Sequence, residues 1–257
     1  MGLYFKHMGI HFRSAMQHKK SFFLQFFGQI VMALSMVLGV WLMTERFGRI
    51  DGFTPQQVLV CFSINLMGFT LAELFFRGFD MFPDMIRRGD FDRVLLRPRG
   101  AILTVLCSDA AFHRAGRLLQ SAVTLAVVLP GSGIEWTAAR ILALLAMLAG
   151  SSALFAALFT LRAAVAFFTV DSIEFMNIFV DGAREFGSYP ASVYGKAVLN
   201  LLTFVIPLAC TQYYPLLWLL GRGPAWYALL PLCGFVFWLP VLLFWRLGVR
   251  KYRSTGS

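Results

Sequence analysis

Residues 21–44 read "SFFLQFFGQIVMALSMVLGVWLMT", a run of 24 positions without an acidic or basic side chain. An α-helix rises about 1.5 Å per residue, so about 20 mainly apolar residues cross the hydrocarbon core of a bilayer. The run is too long for the apolar core of a signal peptide, and no small-residue cleavage pattern follows it. It predicts a retained first membrane span.

The composition of the whole chain agrees with that prediction. Its 257 residues are 58% hydrophobic and only 14% charged, whereas soluble domains average about 25% charged residues. This length allows roughly six spans joined by short loops. We therefore predict an all-α membrane protein with six transmembrane helices in a single domain over residues 1–257.

The other spans follow from further apolar runs. These lie near 58–76, 116–134, 141–170 and 225–244, and the third span, near 116–134, ends in the turn "PGSG". The fifth span has two interpretations. Either 197–220 spans and 171–190 is cytoplasmic, or 171–190 spans and 191–223 forms an external re-entrant segment.

Residues 3–20 precede the first span and form an amphipathic pattern. Apolar side chains recur at four-residue steps, and basic side chains lie on another side. The apolar stripe consists of Tyr4, Met8, Phe12 and Met16. This pattern is typical of a helix that lies on the membrane surface. His7 and His11 are also four residues apart, but a metal site would need further ligands, which favours a solvated polar face.

The distribution of Lys and Arg predicts the orientation. Four precede the first span, eight lie between the second and third spans, and four end the chain, which places sixteen on one side. The short loops on the other side contain Arg46, Arg49 and Arg222. Cytoplasmic loops are enriched in positive residues, so both termini and residues 77–117 are predicted to be cytoplasmic.

The cytoplasmic segment contains "MIRRGDFDRVLLRPRG" at residues 85–100. Apolar and charged side chains alternate from Phe82 to Arg88, as in a short amphipathic helix that Gly89 ends, and Pro98 ends a second turn. Residues 77–99 contain six Arg and four Asp, a net charge of +2. A nearly balanced surface with apolar side chains favours protein docking over a polybasic lipid anchor, although a solvated loop remains the alternative.

Asp181, Arg184 and Glu185 form the most unusual polar group near the membrane. If 171–190 spans, the three-residue spacing puts Asp181 and Arg184 on one helix face, where pairing offsets the cost of buried charge. These residues would then face a partner or a water-filled cavity. If 171–190 is cytoplasmic, they are ordinary solvated charges.

Several chemistries have no motif in this chain. It has no phosphate loop of the GxxxxGK[ST] type, no catalytic pair of carboxylates on a confident span and no metal-binding pattern, so we predict neither enzymatic activity nor a bound metal. The four cysteines are scattered among apolar residues and are expected to be buried thiols. The net charge of +10 is explained by cytoplasmic loops, so no nucleic-acid partner is predicted.

Three stretches resemble one family, the type-2 ABC exporter permeases. "MIRRGDFDRVLLRP" is similar to their cytoplasmic coupling segment, in which a charged helix leads to a glycine and an acidic residue, a leucine pair and a proline. The resemblance implies that an ATPase subunit binds this segment. The docking residues that it implies are Phe82, Asp84, Met85, Arg87, Arg88, Gly89, Asp90 and Phe91.

Residues 184–215 are similar to the external re-entrant hairpin that follows the fifth span in those permeases. Pro190, Tyr194, Pro207 and Pro215 fall on its pattern. The closing "FWRLGVRKYRSTGS" is similar to the C-terminus of a bacterial subfamily with two different permeases and one ATPase. Asp181, Arg184 and Glu185 depart from the usual apolar fifth span of the family.

The resemblance implies a permease that forms half of a substrate pathway in the bacterial cytoplasmic membrane. Its partners would be the lipid bilayer, a second permease subunit and an ABC ATPase dimer, which would bind the ATP and Mg²⁺ that this chain has no motif to bind. Two other classes of function remain open on sequence alone. These are a self-sufficient secondary transporter or channel and a non-transporting membrane assembly protein.

Overall fold

The computed structural model describes residues 2–96, 98, 100–169 and 173–252. Within these ranges the chain forms helices and turns and no β-sheet. The α-helices are α1 Gly2–Gln17, α2 Lys19–Phe47, α3 Pro55–Asp80, α4 Phe82–Arg87, α5 Asp90–Leu95, α6 Ala101–Leu106, α7 Ala115–Val128, α8 Ala138–Ala166, α9 Ile173–Phe186, α10 Gly195–Phe204, α11 Leu208–Thr211, α12 Tyr213–Leu219, α13 Cys233–Val236 and α14 Trp238–Lys251. Short 3₁₀ helices occupy Phe112–Arg114, Ala191–Tyr194 and Ala225–Leu232.

Four helical stretches in the described residues are long and apolar enough to cross a membrane. They are Lys19–Arg46, Pro55–Arg87, Ala138–Ala166 and Ala225–Lys251. A fifth is added if Ala191–Phe204 and Leu208–Leu219, which meet at an angle of 84°, count as one span. The prediction of a multi-spanning helical protein is confirmed, whereas the count of six spans stays a prediction.

The third predicted span, 116–134, is shorter than expected. Helix α7 has 14 residues and ends at Val128, because "LPGSG" turns the chain there. The Ser132 hydroxyl donates to the carbonyl of Leu129 at 2.6 Å, and Gln57 Nε2 donates to the carbonyl of Ser132 at 3.0 Å. The turn predicted at "PGSG" is therefore present, and side chains hold it.

Helix α3 begins at a capping box. Thr54 Oγ1 accepts from the backbone N–H of Gln57 at 3.4 Å, and Gln57 Oε1 accepts from the N–H of Thr54 at 3.1 Å. Pro55 follows at the first helical position, where its missing N–H costs nothing. The cap gives the longest buried helix a defined start.

Helix α3 lies at the centre of the bundle, and 83% of the residues in its most apolar 18-residue stretch are buried. It packs against α2, α7 and α8. In α2, by contrast, only 11% of the residues in the corresponding 18-residue stretch are buried. Gly68 of α3 lies directly against Ser151 of α8, so even a methyl group at position 68 would overlap the serine side chain. Small residues allow this close approach, as they do between membrane helices generally.

The connections fall at two ends of the bundle. At one end, Asp80, the last residue of α3, pairs with Arg162 near the end of α8, and Trp245 of α14 packs on Phe79 at 5.3 Å between ring centroids. At the other end, Arg222 Nη1 donates to the carbonyl of Gly52 at 3.2 Å. The two ends of α3 therefore mark two sides of the molecule.

Helix α9 and the segment that follows it pack beside α3 and α8. The carbonyl of Arg184 accepts from Asn65 Nδ2 at 2.6 Å, and Asn65 lies ten residues after the start of α3, about 15 Å along its axis. After α9 the chain turns at Pro190 and bends sharply at Pro207. Leu216 and Leu219 of α12 complete a core cluster with Phe53 and Val58.

Candidate functional site

Two short helices, α4 and α5, form the segment predicted to dock a partner. Gly89 lies between them with φ of +70°, a left-handed conformation that glycine adopts without strain. Helix α5 ends at Leu95 before the bend at Pro98. The breaks predicted at Gly89 and before Pro98 are therefore present.

Phe82 and Phe91 point into the protein. Both side chains are fully buried, and their ring centroids lie 5.1 Å apart. Each also packs on Phe167 of the turn after α8, at 5.0 and 5.2 Å, and Phe82 contacts Trp245 at 5.0 Å. These two predicted docking residues thus attach the segment to α8 and α14, and the surface of the segment is made by others.

That surface is charged. The side chains of Asp84, Arg87 and Arg88 are 49%, 50% and 70% exposed. Arg88 Nε lies 3.2 Å from Asp90 Oδ2, and Leu96 adds an apolar side chain that is 85% exposed. Met85 is half-buried beside them. We call the surface of Asp84, Arg87, Arg88, Asp90 and Leu96 the docking face.

A buried ion cluster lies directly behind the segment. Glu73 of α3, whose side chain is 4% exposed, pairs with Arg114 and with Arg117, the latter at 3.2 Å between Oε2 and Nη1. Arg117 also donates to Gln29 Oε1 of α2 from Nη2 at 2.6 Å. One carboxylate therefore links α2, α3 and α7 through two guanidinium groups.

A second buried carboxylate lies seven residues further along α3. Asp80 pairs with Arg77 on its own helix and with Arg162 on α8. The sequence analysis did not identify this group. The seven-residue spacing of Glu73 and Asp80 puts both on one face of α3, which is the signal that could have found it.

The three polar residues of α9 also lie together. Arg184 Nη1 is 3.8 Å from Asp181 Oδ1, and Arg184 Nη2 is 2.8 Å from Glu185 Oε1. The carboxylates are 59% and 60% exposed, whereas Arg184 is 27% exposed and lies over the ring of Phe69 at 5.3 Å. The predicted face shared by Asp181 and Arg184 is present, and it turns the acidic groups away from the core.

A buried amide network joins α9 to the segment after it. Gln212 Nε2 donates to Asn65 Oδ1 at 2.7 Å and approaches Ser151 Oγ at 3.4 Å. Asn65 in turn donates to the carbonyl of Arg184. Sequence reasoning missed this network because an isolated Asn or Gln in an apolar run has no pattern of its own.

Of the four residues predicted for a re-entrant hairpin, Pro190 and Pro207 lie where the chain changes direction. Pro190 precedes the 3₁₀ helix Ala191–Tyr194, and Pro207 precedes α11 at the 84° bend. The Tyr194 hydroxyl donates to the carbonyl of Glu185 at 3.4 Å, and Pro215 is buried in α12. The four residues therefore belong to a segment that bends by 84° between its two helical parts.

His113 lies in the 3₁₀ helix between α6 and α7, outside the candidate spans. Burial lowers the pKa of His113 below its usual 6.5, and the positive charges of Arg77 and Arg117 lower it further against the opposite effect of Asp109. His113 therefore favours its neutral form. Within the described ranges no group of three or more His, Cys, Asp or Glu side chains is placed to hold a metal ion.

The long apolar helices, the bent segment and the buried ion pairs together define a multi-pass helical membrane protein. Residues 30–256 match the model of the family described as "ABC-2 family transporter protein". Because the match covers most of the chain, the protein belongs to this family of transporter permeases, which typically work with an ATPase partner. Searches of curated proteins and of solved structures find no match.

Proposed function

We propose that this chain is the membrane subunit of an ABC exporter in the bacterial cytoplasmic membrane. It would form half of a substrate pathway with a second permease subunit, and a separate ATPase dimer would bind ATP and Mg²⁺. The observation that supports this most is a charged docking face at one end of a permease-family bundle, attached to α8 and α14 by buried aromatic side chains.

The orientation follows from the two ends of the bundle. The end near Asp80 and Trp245 also holds the basic segment that follows α3, whereas the end near Gly52 holds Arg222 and few other positive residues. The excess of positive charge favours the cytoplasm for the first end. Both termini and residues 77–117 would then be cytoplasmic.

For the fifth span we favour α9. It starts after the cytoplasmic end of α8 and reaches the outer half of α3, where the carbonyl of Gly187 lies 3.9 Å from Cys61 Sγ. Residues 191–219 then pack on the outer residues of α3 and bend by 84°, as an external re-entrant hairpin would. Six spans result if α2, α3, α7, α8, α9 and Ala225–Lys251 each cross.

This assignment gives the acidic face of α9 a role. Asp181 and Glu185 are exposed near the level of Phe69, in the middle of α3, and facing lipid there would cost about 2.5–3.5 kcal/mol for each charge. A water-filled pathway or the second permease would avoid that cost. We therefore assign this face to the subunit contact or the pathway.

Coupling would run through the docking face. An ATPase that holds Asp84, Arg87 and Arg88 would move α4, and buried Phe82 would transmit the displacement to Trp245 and Phe167. Packed aromatic groups transmit movement because interiors are dense and resist compression. The ion cluster of Glu73 would pass it on to α2 and α7.

The test is co-purification of the ATPase from membranes of the native host. The tagged Arg87→Glu/Arg88→Glu variant should recover about tenfold less ATPase than the wild type, which corresponds to about 1.4 kcal/mol. Arg46→Glu/Arg49→Glu, which makes the same change at exposed positions of the opposite end, should recover the wild-type amount. Equal recovery with the first variant would contradict the docking assignment.

The topology is tested by cysteine labelling in whole cells. Lys196 is exposed at the start of α10, so Lys196→Cys should react with a membrane-impermeant maleimide from outside, whereas Arg88→Cys should react only after permeabilisation. Cys61, Cys107 and Cys210 are buried, and Cys233→Ser removes the remaining, partly exposed thiol. Labelling of Lys196→Cys only from the cytoplasm would rule out α9 as the fifth span.

A further inference from the structure

Two depressions lie along the last span, one at its basic end and one in its apolar part. The first has a volume of about 320 Å³ and lies between α14 and the start of α6. The second, of about 540 Å³, lies between α3, α8 and the last span. Both volumes are within the usual range of ligand sites, about 300–1,000 Å³. The proposed docking face uses neither of them.

The first depression, which we call the basic cavity, contains two guanidinium groups. It is lined by Arg246 and Arg250 of α14, by the apolar side chains of Trp245 and Val249, and by residues 100–102. Among the residues that the structure describes, no acidic side chain lines this cavity, and neither arginine forms an ion pair. Both arginines are exposed. The excess of two positive charges favours an anionic ligand, and a guanidinium group matches the geometry of a phosphate.

The second depression, which we call the apolar groove, is lined almost entirely by hydrocarbon. Large side chains come from two sides, Leu71, Phe75 and Phe76 of α3 and Phe235 and Trp238 of the last span. Three alanines of α3 and α8 also line the groove, and such small side chains leave room between neighbouring helices. The lining contains no charged side chain among the described residues.

The two polar side chains of the apolar groove already have partners. Ser152 Oγ donates to the carbonyl of Leu148 at 2.7 Å, and Trp238 Nε1 donates to the carbonyl of Ala153 at 2.7 Å. Each has a single hydrogen to donate, so these two side chains offer a ligand no further donor. A polar group placed in the groove would lose its hydrogen bonds to water without replacement, whereas a hydrocarbon chain needs none. The groove therefore suits an acyl chain.

The basic cavity and the apolar groove share one face of α14. Trp238 of the groove and Trp245 of the cavity are seven residues apart, and Val249 follows four residues later, which places all three on one side of the helix. Arg246 and Arg250 lie eight and twelve residues after Trp238, about 12–18 Å along the helix axis. Half of a hydrocarbon core of about 30 Å has the same depth. A lipid of one leaflet therefore has the length to occupy both.

We propose that the basic cavity and the apolar groove together bind one anionic phospholipid, with its phosphate at Arg246 and Arg250 and an acyl chain in the groove. The bound lipid would connect α6, which follows the segment of α4 and α5, to the last span and to α3. With the orientation proposed above, this lipid belongs to the cytoplasmic leaflet. The binding itself depends neither on that orientation nor on an ATPase partner, so a failure of either proposal leaves the other to be judged separately.

The experiment is native mass spectrometry of the intact protein in a neutral detergent, titrated with phosphatidylglycerol. A saturable complex with one lipid is expected. Diacylglycerol, which has the chains without the phosphate, should bind more weakly, and inorganic phosphate at the same concentration should not displace the lipid. Equal binding of diacylglycerol would overturn the role of the arginines. Displacement by inorganic phosphate would overturn the lipid assignment in favour of a site for free phosphate.

One pair of variants tests the basic cavity. Arg246→Gln/Arg250→Gln should weaken phosphatidylglycerol binding about tenfold or more, because both charges that face the phosphate are lost. Arg13→Gln/Lys251→Gln removes two exposed positive charges outside the cavity and should leave the affinity within about twofold. Equal losses in the two variants would show general attraction between charges and would overturn the proposal.

A second pair tests the apolar groove. Ala149 is exposed within the groove, so Ala149→Phe should fill part of it without disturbing the core and should weaken phosphatidylglycerol binding. Val127→Phe enlarges a side chain of α7 that is 71% exposed and lies outside the groove, and it should leave the binding unchanged. Unchanged binding in Ala149→Phe would overturn the placement of the acyl chain.

Discussion

Glu73 Oε2 lies 3.2 Å from Arg117 Nη1 at the junction of three helices, where Glu73 is buried and the Arg117 side chain is only 14% exposed. Arg114 pairs with the same carboxylate. The arrangement connects α3 to α7. Its stability depends on the carboxylate, because without it two guanidinium groups would lie unpaired in a poorly hydrated site.

Glu73→Ala should therefore destabilise the protein by about 3 kcal/mol, the usual cost of removing one partner of a buried pair. The control is Glu135→Ala, since Glu135 is 90% exposed and pairs with Arg140 at 3.4 Å. It should change stability by less than about 1 kcal/mol. Denaturation in mixed micelles measures both, and equal effects would show that the Glu73 cluster contributes nothing special.

Gly68 tests the contact between α3 and α8. Gly68→Ala should destabilise by about 1–3 kcal/mol, because the new methyl group would overlap Ser151, and adding Ser151→Gly should recover part of the loss. Gly39→Ala is the control, since nothing in this chain lies within 4 Å of a Cβ there. It should stabilise α2 slightly, as alanine is the better helix former by about 1 kcal/mol.

Long apolar runs predicted four of the spans, since a run such as 21–44 is stable only within the hydrocarbon core of a membrane. The turn after α7 was predicted from "PGSG", whereas the contact between Gln57 and Ser132 that holds it, across 75 positions, was not. The partners of Glu73 and Asp80 were missed for the same reason. Hydropathy measures the cost of placing a charge within a span. It does not identify the arginine on another helix that offsets this cost.

The segment of α4 and α5, which was predicted to dock a partner, shows a similar division. Gly89 and Pro98 predicted its breaks, because their backbone preferences act locally. Which side of α4 faces the bundle depends on Phe167 and Trp245, more than 70 residues away in sequence. The pattern therefore identified an amphipathic segment without separating its buried aromatic residues from its exposed charges.

His113 predicts a dependence of stability on pH. Its folded-state pKa is lowered, so below about pH 6.5 the unfolded state binds more protons than the folded state. Stability present above pH 6.5 should then be lost as the pH falls. The wild type should lose more stability between pH 7.5 and 5.5 than His113→Asn does, and His18→Asn, altered at an exposed position, should follow the wild type. Equal pH profiles for wild type and His113→Asn would contradict this.

Asn65 connects α3 both to α9 and to Gln212, so its loss should affect two contacts at once. Asn65→Ala removes the short hydrogen bonds to the Arg184 carbonyl and to Gln212 Nε2 and leaves these groups only the longer contacts with Ser188 Oγ at 3.3 Å and Ser151 Oγ at 3.4 Å. It should cost about 1.5 kcal/mol, near the upper end for hydrogen bonds between membrane helices. Gln212→Ala should cost less after Asn65→Ala than alone, because the 2.7 Å contact between the two amides is already gone. Denaturation of the two single variants and the double variant gives this coupling directly. Asn200→Ala, on the exposed side of α10, should change stability by less than about 0.5 kcal/mol. Strictly additive effects of the Asn65 and Gln212 changes would mean that the amide network does not join α9 and the bent segment 191–219 energetically.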